Sequence, residues 1–334
     1  MFHYKMIREV WARRKTVDFV LFHPMSAPWM FFLWLVMLFL PNRPLFVMDT
    51  RTLPMESKKE RTRKATIRAY YFSFIAWFSR WWVDGQLTIT QRMAEALNIP
   101  HKQLWGIWTS GVRLEPFVEA SANRQWAGKD EPIDLNYIGS LAKERYIDVL
   151  ARAVIRAHQA GYPVHFTIIG AGNARNELQT LAQNSGGAVI VLDPVAFDQV
   201  PILLAKSHIG VLPFPDEEQF RVSSPIKLFE YMASGMPILA TRIVCHTDVL
   251  GDAPFVFWAE SATEDAFYEA IKRLVDARDQ LPTLGNASAI EGKKWSWQSV
   301  AQHLYDGLMR GRQKRLSRQN TGDYPSRKVD GSVE

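Results

Sequence analysis

The chain has 334 residues, 47% apolar and 22% charged, with one cysteine, Cys245, and no glycine period. At roughly 100–200 residues per domain this predicts two domains, each long enough for a core, and it excludes a fibre, a short peptide and an intrachain disulfide. The net charge of +6 is uneven: residues 1–114 hold 17 Lys/Arg against 7 Asp/Glu, 115–309 hold 16 against 24, and 310–334 hold 7 against 3.

The first sixteen residues contain Lys5, Arg8, Arg13, Arg14 and Lys15 and no apolar stretch long enough for a signal core, which predicts a cytoplasmic chain. Short β-branched or aromatic runs then alternate with longer helical stretches, as in parallel strands joined by helical crossovers, so the class is α/β. The first strands are expected at 17–22, 45–48, 86–90 and 104–108. Residues 27–40 carry no charge but are shorter than the roughly 20 residues of a spanning helix. Their place between two strands predicts a buried crossover helix, with an interfacial or re-entrant helix as the alternative. Residues 56–82 set Lys58, Lys59, Arg61, Arg63, Lys64 and Arg68 largely ahead of Ile67, Tyr70, Tyr71, Phe74, Phe78, Trp81 and Trp82 at helical spacing. Such a stripe is either core or a contact with a membrane surface, its cations on anionic headgroups and its rings at the interface. No helix-turn-helix, zinc-finger or RNP pattern accompanies the cations, so nucleic acid is not an expected partner.

An N-terminal domain is expected over 1–115, followed by a polar linker over 116–132 that contains Ser121, Asn123, Gly128, Lys129 and Asp130. Strands expected at 135–138, 165–169, 189–192, 209–212, 238–240 and 255–257 make a complete Rossmann-like domain over 133–295. A helix over 296–311 and a disordered basic tail over 312–334 close the chain.

Ligands of open parallel sheets lie beyond the carboxyl ends of the strands, which directs attention to three loops. In the first, Gly139 lets the backbone approach a ligand and Arg145 offers a permanent cation; the plain alternative is a turn. In the second, Gly170 and Gly172 resemble part of a dinucleotide fingerprint, but Arg175 stands where the third glycine belongs, so that site is rejected. The third begins at Ser223. Ser224 is a good N-cap, Pro225 suits the first helical position, and Gly235 and Pro237 stop a helix of about ten residues. The N-terminus of that helix, with unpaired N–H groups and a positive dipole end, suits a diphosphate. Lys227 and Glu230 share one face, either as a solvated ion pair or as the cation and acceptor of a nucleotide-sugar site.

The run Pro225-x-Lys227-x-x-Glu230-Tyr231-x-Ala233-x-Gly235-x-Pro237 is similar to the donor-site signature of glycosyltransferase family 4, which has the GT-B fold. The order of the Gly139 loop, the Gly170 loop, Val211-Leu212-Pro213 and the signature helix resembles that family's C-terminal domain. The resemblance implies two Rossmann-like domains, with Glu230 on the donor ribose, the backbone at Ser223 and Ser224 on the diphosphate, and Arg145 in place of a phosphate-binding lysine. Residues 49–54 and 108–112 also look like family loops, which places Asp49 and Arg51 where an acceptor approaches and makes them the catalytic candidates. Residues 295–311 would form the terminal helix that crosses back to the N-terminal domain. Three departures accompany the match: Val222 stands where the first of two glutamates is usual, Ser140 where arginine is common, and the family's first βα units do not precede residue 17. The last implies an incomplete N-terminal domain or a start upstream of Met1.

The activity implied is transfer from a nucleoside-diphosphate sugar to a lipid-linked or polysaccharide acceptor, with retention, without metal or cofactor, in the cytoplasm or peripherally on a membrane. No Asp-x-Asp motif is present. The alternatives are a catalytically degenerate GT-B protein acting as a binding or membrane-associated partner, and a nucleotide-sugar epimerase, for which no paired acid and base carboxylates are found.

Overall fold

The structure, a computed structural model, describes residues 2–53 and 62–320, except for the side chains of Leu316, Arg318, Gln319 and Asn320. The expected cations Lys58, Lys59 and Arg61 and the tail beyond 320 lie outside the described residues. Two compact units are formed, one from residues 2–53, 66–108 and 301–320, the other from 62–65 and 109–300.

The first unit runs α1 (Phe2–Arg13), β1 (Phe19–Phe22), α2 (Ala27–Met37), β2 (Leu45–Thr50), α3 (Arg63–Ser79), β3 (Gly85–Thr88), α4 (Gln91–Ala96) and β4 (Leu104–Ile107). Its strands form one parallel sheet in the order β1-β2-β3-β4. Alternation along the strands serves two cores. Val20, Phe22, Phe46 and Met48 face α1, α2 and α3, with Met30, Leu33, Ile75 and Trp82 among their partners. Val47, Leu87 and Trp105 face the other way. The basic N-terminal segment, for which the sequence pattern specified no element, is helical because Met6, Ile7 and Val10 pack against the first core. At the amino ends of the strands a bidentate pair, Arg43 to Asp84 at 2.7 and 3.0 Å, is buried, and Asp84 also accepts the Phe46 N–H at 2.8 Å.

The second unit runs α5 (Leu114–Ser121), β5 (Ile133–Ser140), α6 (Ile147–Gln159), β6 (Val164–Ala171), α7 (Arg175–Gln183), β7 (Val189–Leu192), α8 (Val200–Ala205), β8 (Ile209–Leu212), α9 (Glu218–Arg221), α10 (Ile226–Ala233), β9 (Ile238–Thr241), α11 (Val244–Leu250), β10 (Val256–Ala259), α12 (Glu264–Asp276) and α13 (Leu281–Gly292). The sheet is parallel, in the order β10-β9-β8-β5-β6-β7. Its near-continuous apolar strands are covered on both faces, as parallel sheets require. On α6, Ile147, Leu150, Ala151, Val154 and Ala157 recur at helical spacing and are buried. On α12 the Thr263 side chain accepts the Ala266 N–H to cap the first turn, and Phe267, Ala270, Ile271 and Leu274 point inward.

Two boundaries differ from expectation. The units divide after Trp108, not after Glu115, and the expected linker over 116–132 belongs to the second unit. Its first residues complete α5, whose Phe117 is fully buried, and Arg124 donates to the carbonyls of Leu204, Ser207 and Ser234. The chain closes with α14 (Trp297–Asn320), so residues 312–320, expected to be disordered, continue a helix. Ion pairs hold it there: Arg312 reaches Asp18 at 3.1 Å and Arg315 reaches Asp84. Within the first unit, Leu304 and Leu308 of α14 cover the second core. The helix comes close to β4 because Gly307 lies against Gly106, and a Cβ on Gly311 would enter the Trp105 ring.

Candidate functional site

In the second unit the strand order reverses between β5 and β8: the chain fills β6 and β7 on one side of β5, then crosses to build β8, β9 and β10 on the other. Loops leaving two such strands diverge, which opens a crevice at their carboxyl ends. Here β5 and β8 pair only at Leu135↔Ile209 and Asn136↔Gly210. Beyond that point the gap receives the fully buried Tyr231 of α10, whose hydroxyl lies 3.3 Å from the Asn136 carbonyl oxygen and 3.4 Å from that of Val211. Gly210 is required for this approach, since a Cβ there would enter the Tyr231 ring. Tyr231 thus seats α10 at the switch point.

Around that seat the structure brings together Gly139, Gly170, Lys227 and Glu230. Gly139 and Gly170 are register partners at the ends of β5 and β6. Their φ angles of 151° and 152° suit glycine, and a Cβ on Gly170 would collide with the Gly139 carbonyl oxygen. The stem of Lys227 crosses over Gly139, so a Cβ on Gly139 would lie 2.9 Å from Lys227 Cε. Lys227 Nζ is 3.0 Å from Glu230 Oε2, with side-chain exposures of 20% and 5%. The pair is therefore not the solvated one that the spacing alone allowed, and burying two charges beside a crevice asks for a reason beyond stability.

Arg145 is held by a residue the sequence pattern did not single out. Its Nη1 donates to the Tyr137 hydroxyl at 2.8 Å, and that hydroxyl donates to the Ser140 carbonyl oxygen at 2.9 Å. Burial pushes the Tyr137 phenol up, and the guanidinium draws it partly back. The guanidinium also lies 5.2 Å from the ring centre of Phe214, which follows β8. Tyr137 is the single aromatic residue of β5, and nothing in its spacing announces the bond to Arg145.

Two details of the signature helix differ from expectation. Pro225, not Ser224, is the N-cap, and α10 starts at Ile226 and has eight residues. The Ser224 hydroxyl is engaged elsewhere, accepting the Ser110 N–H at 3.3 Å while Ser110 Oγ donates to the Ser224 carbonyl at 3.2 Å. The Ser223 N–H donates to the Phe220 carbonyl at 2.9 Å and its hydroxyl to the same oxygen at 2.8 Å, so that amide already has a partner. Arg175, in place of the third glycine, donates to the Gly170 carbonyl at 2.6 Å and pairs with Asp193 at 2.8 Å, stiffening the second loop.

In the first unit, Asp49 and Arg51 meet around Trp108. The indole Nε1 donates to Asp49 Oδ1 at 3.1 Å, the Arg51 guanidinium stacks 3.8 Å from the ring centre, and its Nη1 donates to the Trp108 carbonyl at 2.5 Å. Burial raises the Asp49 carboxyl, while Trp108 and Arg51 pull it down. Among the described residues no three of His, Cys, Asp and Glu gather as a metal site.

Residues 132–277 match the family model described as Glycosyl transferases group 1, so the second unit carries a glycosyltransferase domain. Over 163 residues the chain is 23% identical to an uncharacterized glycosyltransferase of Methanocaldococcus jannaschii, which covers 48% of this chain and 44% of that protein. Among solved structures, it resembles S. aureus TarM in complex with fondaparinux, alpha-GlcNAc-glycerol and UDP, with a TM-score of 0.66 and 14% identity over 90% of this chain and 58% of that one. It also resembles Anabaena HepE in complex with UDP-glucose, with a TM-score of 0.68 and 13% identity over 92% of this chain and 81% of that one. A third likeness is to the sucrose-phosphate synthase of Thermosynechococcus elongatus, with a TM-score of 0.63 and 15% identity over 96% and 78%. The fold is GT-B, and the chain spans less than half the length of its curated relative and 58% of TarM.

Proposed function

We propose that this glycosyltransferase belongs to family 4 and takes its sugar from a nucleoside diphosphate bound in the second unit, with transfer to a lipid-linked or polysaccharide acceptor. The observation that carries the reading is the gathering of Gly139, Gly170 and the buried Lys227–Glu230 pair around the start of α10, at the reversal of strand order. Glu230 would accept hydrogen bonds from the ribose. The glycine pair lets β5, β6 and the Lys227 stem pack closely at the base of the site, and Arg145, Lys227 and the positive end of α10 would stabilise the diphosphate as negative charge develops on the departing group. Fixed cations in a desolvated crevice can supply this without a metal, which is the route we assign. Departure and attack on one face, with retention at the anomeric carbon, is part of the same assignment. Asp49, raised by burial and oriented by Trp108, is the candidate on the acceptor side. TarM and HepE, solved with UDP and UDP-glucose, support the choice of a nucleotide-sugar donor.

The test is calorimetric titration of the full chain with UDP, GDP and ADP in EDTA, followed by turnover of the matching nucleotide sugars on lipid-linked and polysaccharide acceptors, with the anomeric configuration read by NMR. Absence of binding to every nucleotide refutes the reading. One observation favours a second reading: Val222 is buried and apolar where the family's first glutamate would touch the sugar. Nucleotide binding without turnover would make the chain a degenerate GT-B binding protein.

A further inference from the structure

Among the described residues, a broad display of exposed apolar side chains lies on the first unit, on the outward faces of α1, α2 and α3. Along α3, Ile67, Tyr70, Phe74 and Trp77, followed by Trp81, are spaced three and four apart, and all are more than half exposed. Ala65, Phe72, Ile75 and Trp82 take the buried side. This resolves the expected stripe: Trp82 is core, while Tyr71 and Phe78 are partly buried against it. On α2 and the residues after it, Trp29, Phe32, Val36 and Phe39 repeat the same spacing, Phe39 at 84% exposure. On α1, Tyr4 and Trp11 share the exposed side with Lys5 and Arg8, and Lys15 follows the helix.

The helices stand side by side: His3 stacks on Trp29 at 5.3 Å, and Phe31 of α2 meets Phe78 of α3 at 4.9 Å. Their outward rings therefore form one surface, well beyond the scattered apolar residues normal for a soluble face. Its charge is one-sided. Within the bounds of α1, α2 and α3 the one acidic residue is Glu9, 2.5 Å from Arg13, while Lys5, Arg8, Lys64 and Arg68 are exposed basic residues of the same helices. Two copies of this chain meeting through the face would bring like charges together with one carboxylate, already engaged, to offset them. A bilayer with anionic headgroups supplies the missing charge everywhere at once, while Trp and Tyr favour the depth where headgroup meets acyl chain. Among the described residues no helix is long and apolar enough to cross a membrane, so the contact lies in the surface plane.

We infer that the joint outer face of α1, α2 and α3 docks on an anionic lipid bilayer. This deepens the acceptor assignment toward a lipid-anchored molecule, yet it stands on side chains of the first unit and is tested apart from nucleotide binding. The full chain is sedimented with vesicles of phosphatidylcholine alone or of equimolar phosphatidylcholine and phosphatidylglycerol. Binding to the anionic vesicles at least about tenfold above the neutral ones, weakening with salt, is expected. The triple substitution Phe74→Ser, Trp77→Ser, Trp81→Ser should lower that binding about tenfold or more. Phe197→Ser with Ile202→Ser, exposed apolar residues of the second unit, should leave it unchanged. Circular dichroism and nucleotide affinity of each variant report the fold. The inference is overturned if neither vesicle binds, if the triple variant binds like the parent, or if the parent is a dimer in solution that the triple substitution disperses and no vesicle binds. Loss of nucleotide binding with retained vesicle binding would refute the donor reading and leave this one intact.

Discussion

Glu230→Gln separates a donor-binding carboxylate from a structural ion pair. Glu230 is nearly buried and Lys227 four-fifths so, with 3.0 Å between their charged atoms. Glutamine keeps the shape and an acceptor for Lys227, so the stability loss should stay near 1–2 kcal/mol, below the 3–5 kcal/mol typical of leaving a buried charge unpaired. For a unit of this size that is a fall of a few degrees in Tm. A ribose hydroxyl bonded to the carboxylate loses its charge assistance, roughly half of about 1.5–3 kcal/mol, which is about three- to tenfold in Kd for the nucleoside diphosphate. Calorimetry supplies Kd and a thermal melt supplies Tm. Lys227→Met alone and with Glu230→Gln completes a cycle that isolates the pair. A lowered Tm with unchanged Kd would refute the ribose role and leave the pair purely architectural.

Tyr137→Phe removes both bonds of the hydroxyl and frees Arg145, so nucleotide affinity should fall several-fold at a stability loss of about 1–3 kcal/mol, while a neutral sugar or acceptor analogue should bind as before. Gly170→Ala should destabilise by about 3 kcal/mol or more in chemical denaturation, because its Cβ meets a neighbouring carbonyl; Gly186→Ala, with open space around a φ of 63°, should cost only about 1 kcal/mol. His246, fully buried and pushed down to about 4 from 6.5 by burial, donates from Nδ1 to the Thr241 carbonyl in its neutral form. The unfolded chain then binds the proton first, so stability should decline as pH falls from 6.5 to 4 and level off below, by about 3 kcal/mol in all. His246→Asn should flatten that part of a pH series of urea melts.

Every strand of both sheets was legible, because parallel strands read as short apolar runs whatever their neighbours. The signature helix was legible too, since Gly235 and Pro237 stop it by local chemistry. What stayed hidden depends on partners distant in sequence. Ser224 looked like a cap, but Ser110 claims its hydroxyl. Residues 116–132 looked like a linker because nothing local announces that Arg124 will bind carbonyls of residues 204, 207 and 234. The side of α3 that faces out could not be read from its spacing, since aromatic residues occur all around the helix and only packing against neighbours such as Phe31 decides which rings are covered. Tyr137 was one more aromatic in a strand until the structure put Arg145 on its hydroxyl.

The close seating of α14 on β4 bears on how the gene can be shortened. Gly307 and Gly311 let the helix lie where any larger side chain would lift it, and Leu304 and Leu308 roof Trp105 and Leu87. A recombinant version cut before 304 to trim its basic end would uncover that indole and the strand beneath it, and should precipitate on expression. Trimming after 315 would keep the roof and its ionic fastening to Asp18 and Asp84, leaving a tractable molecule for crystallisation.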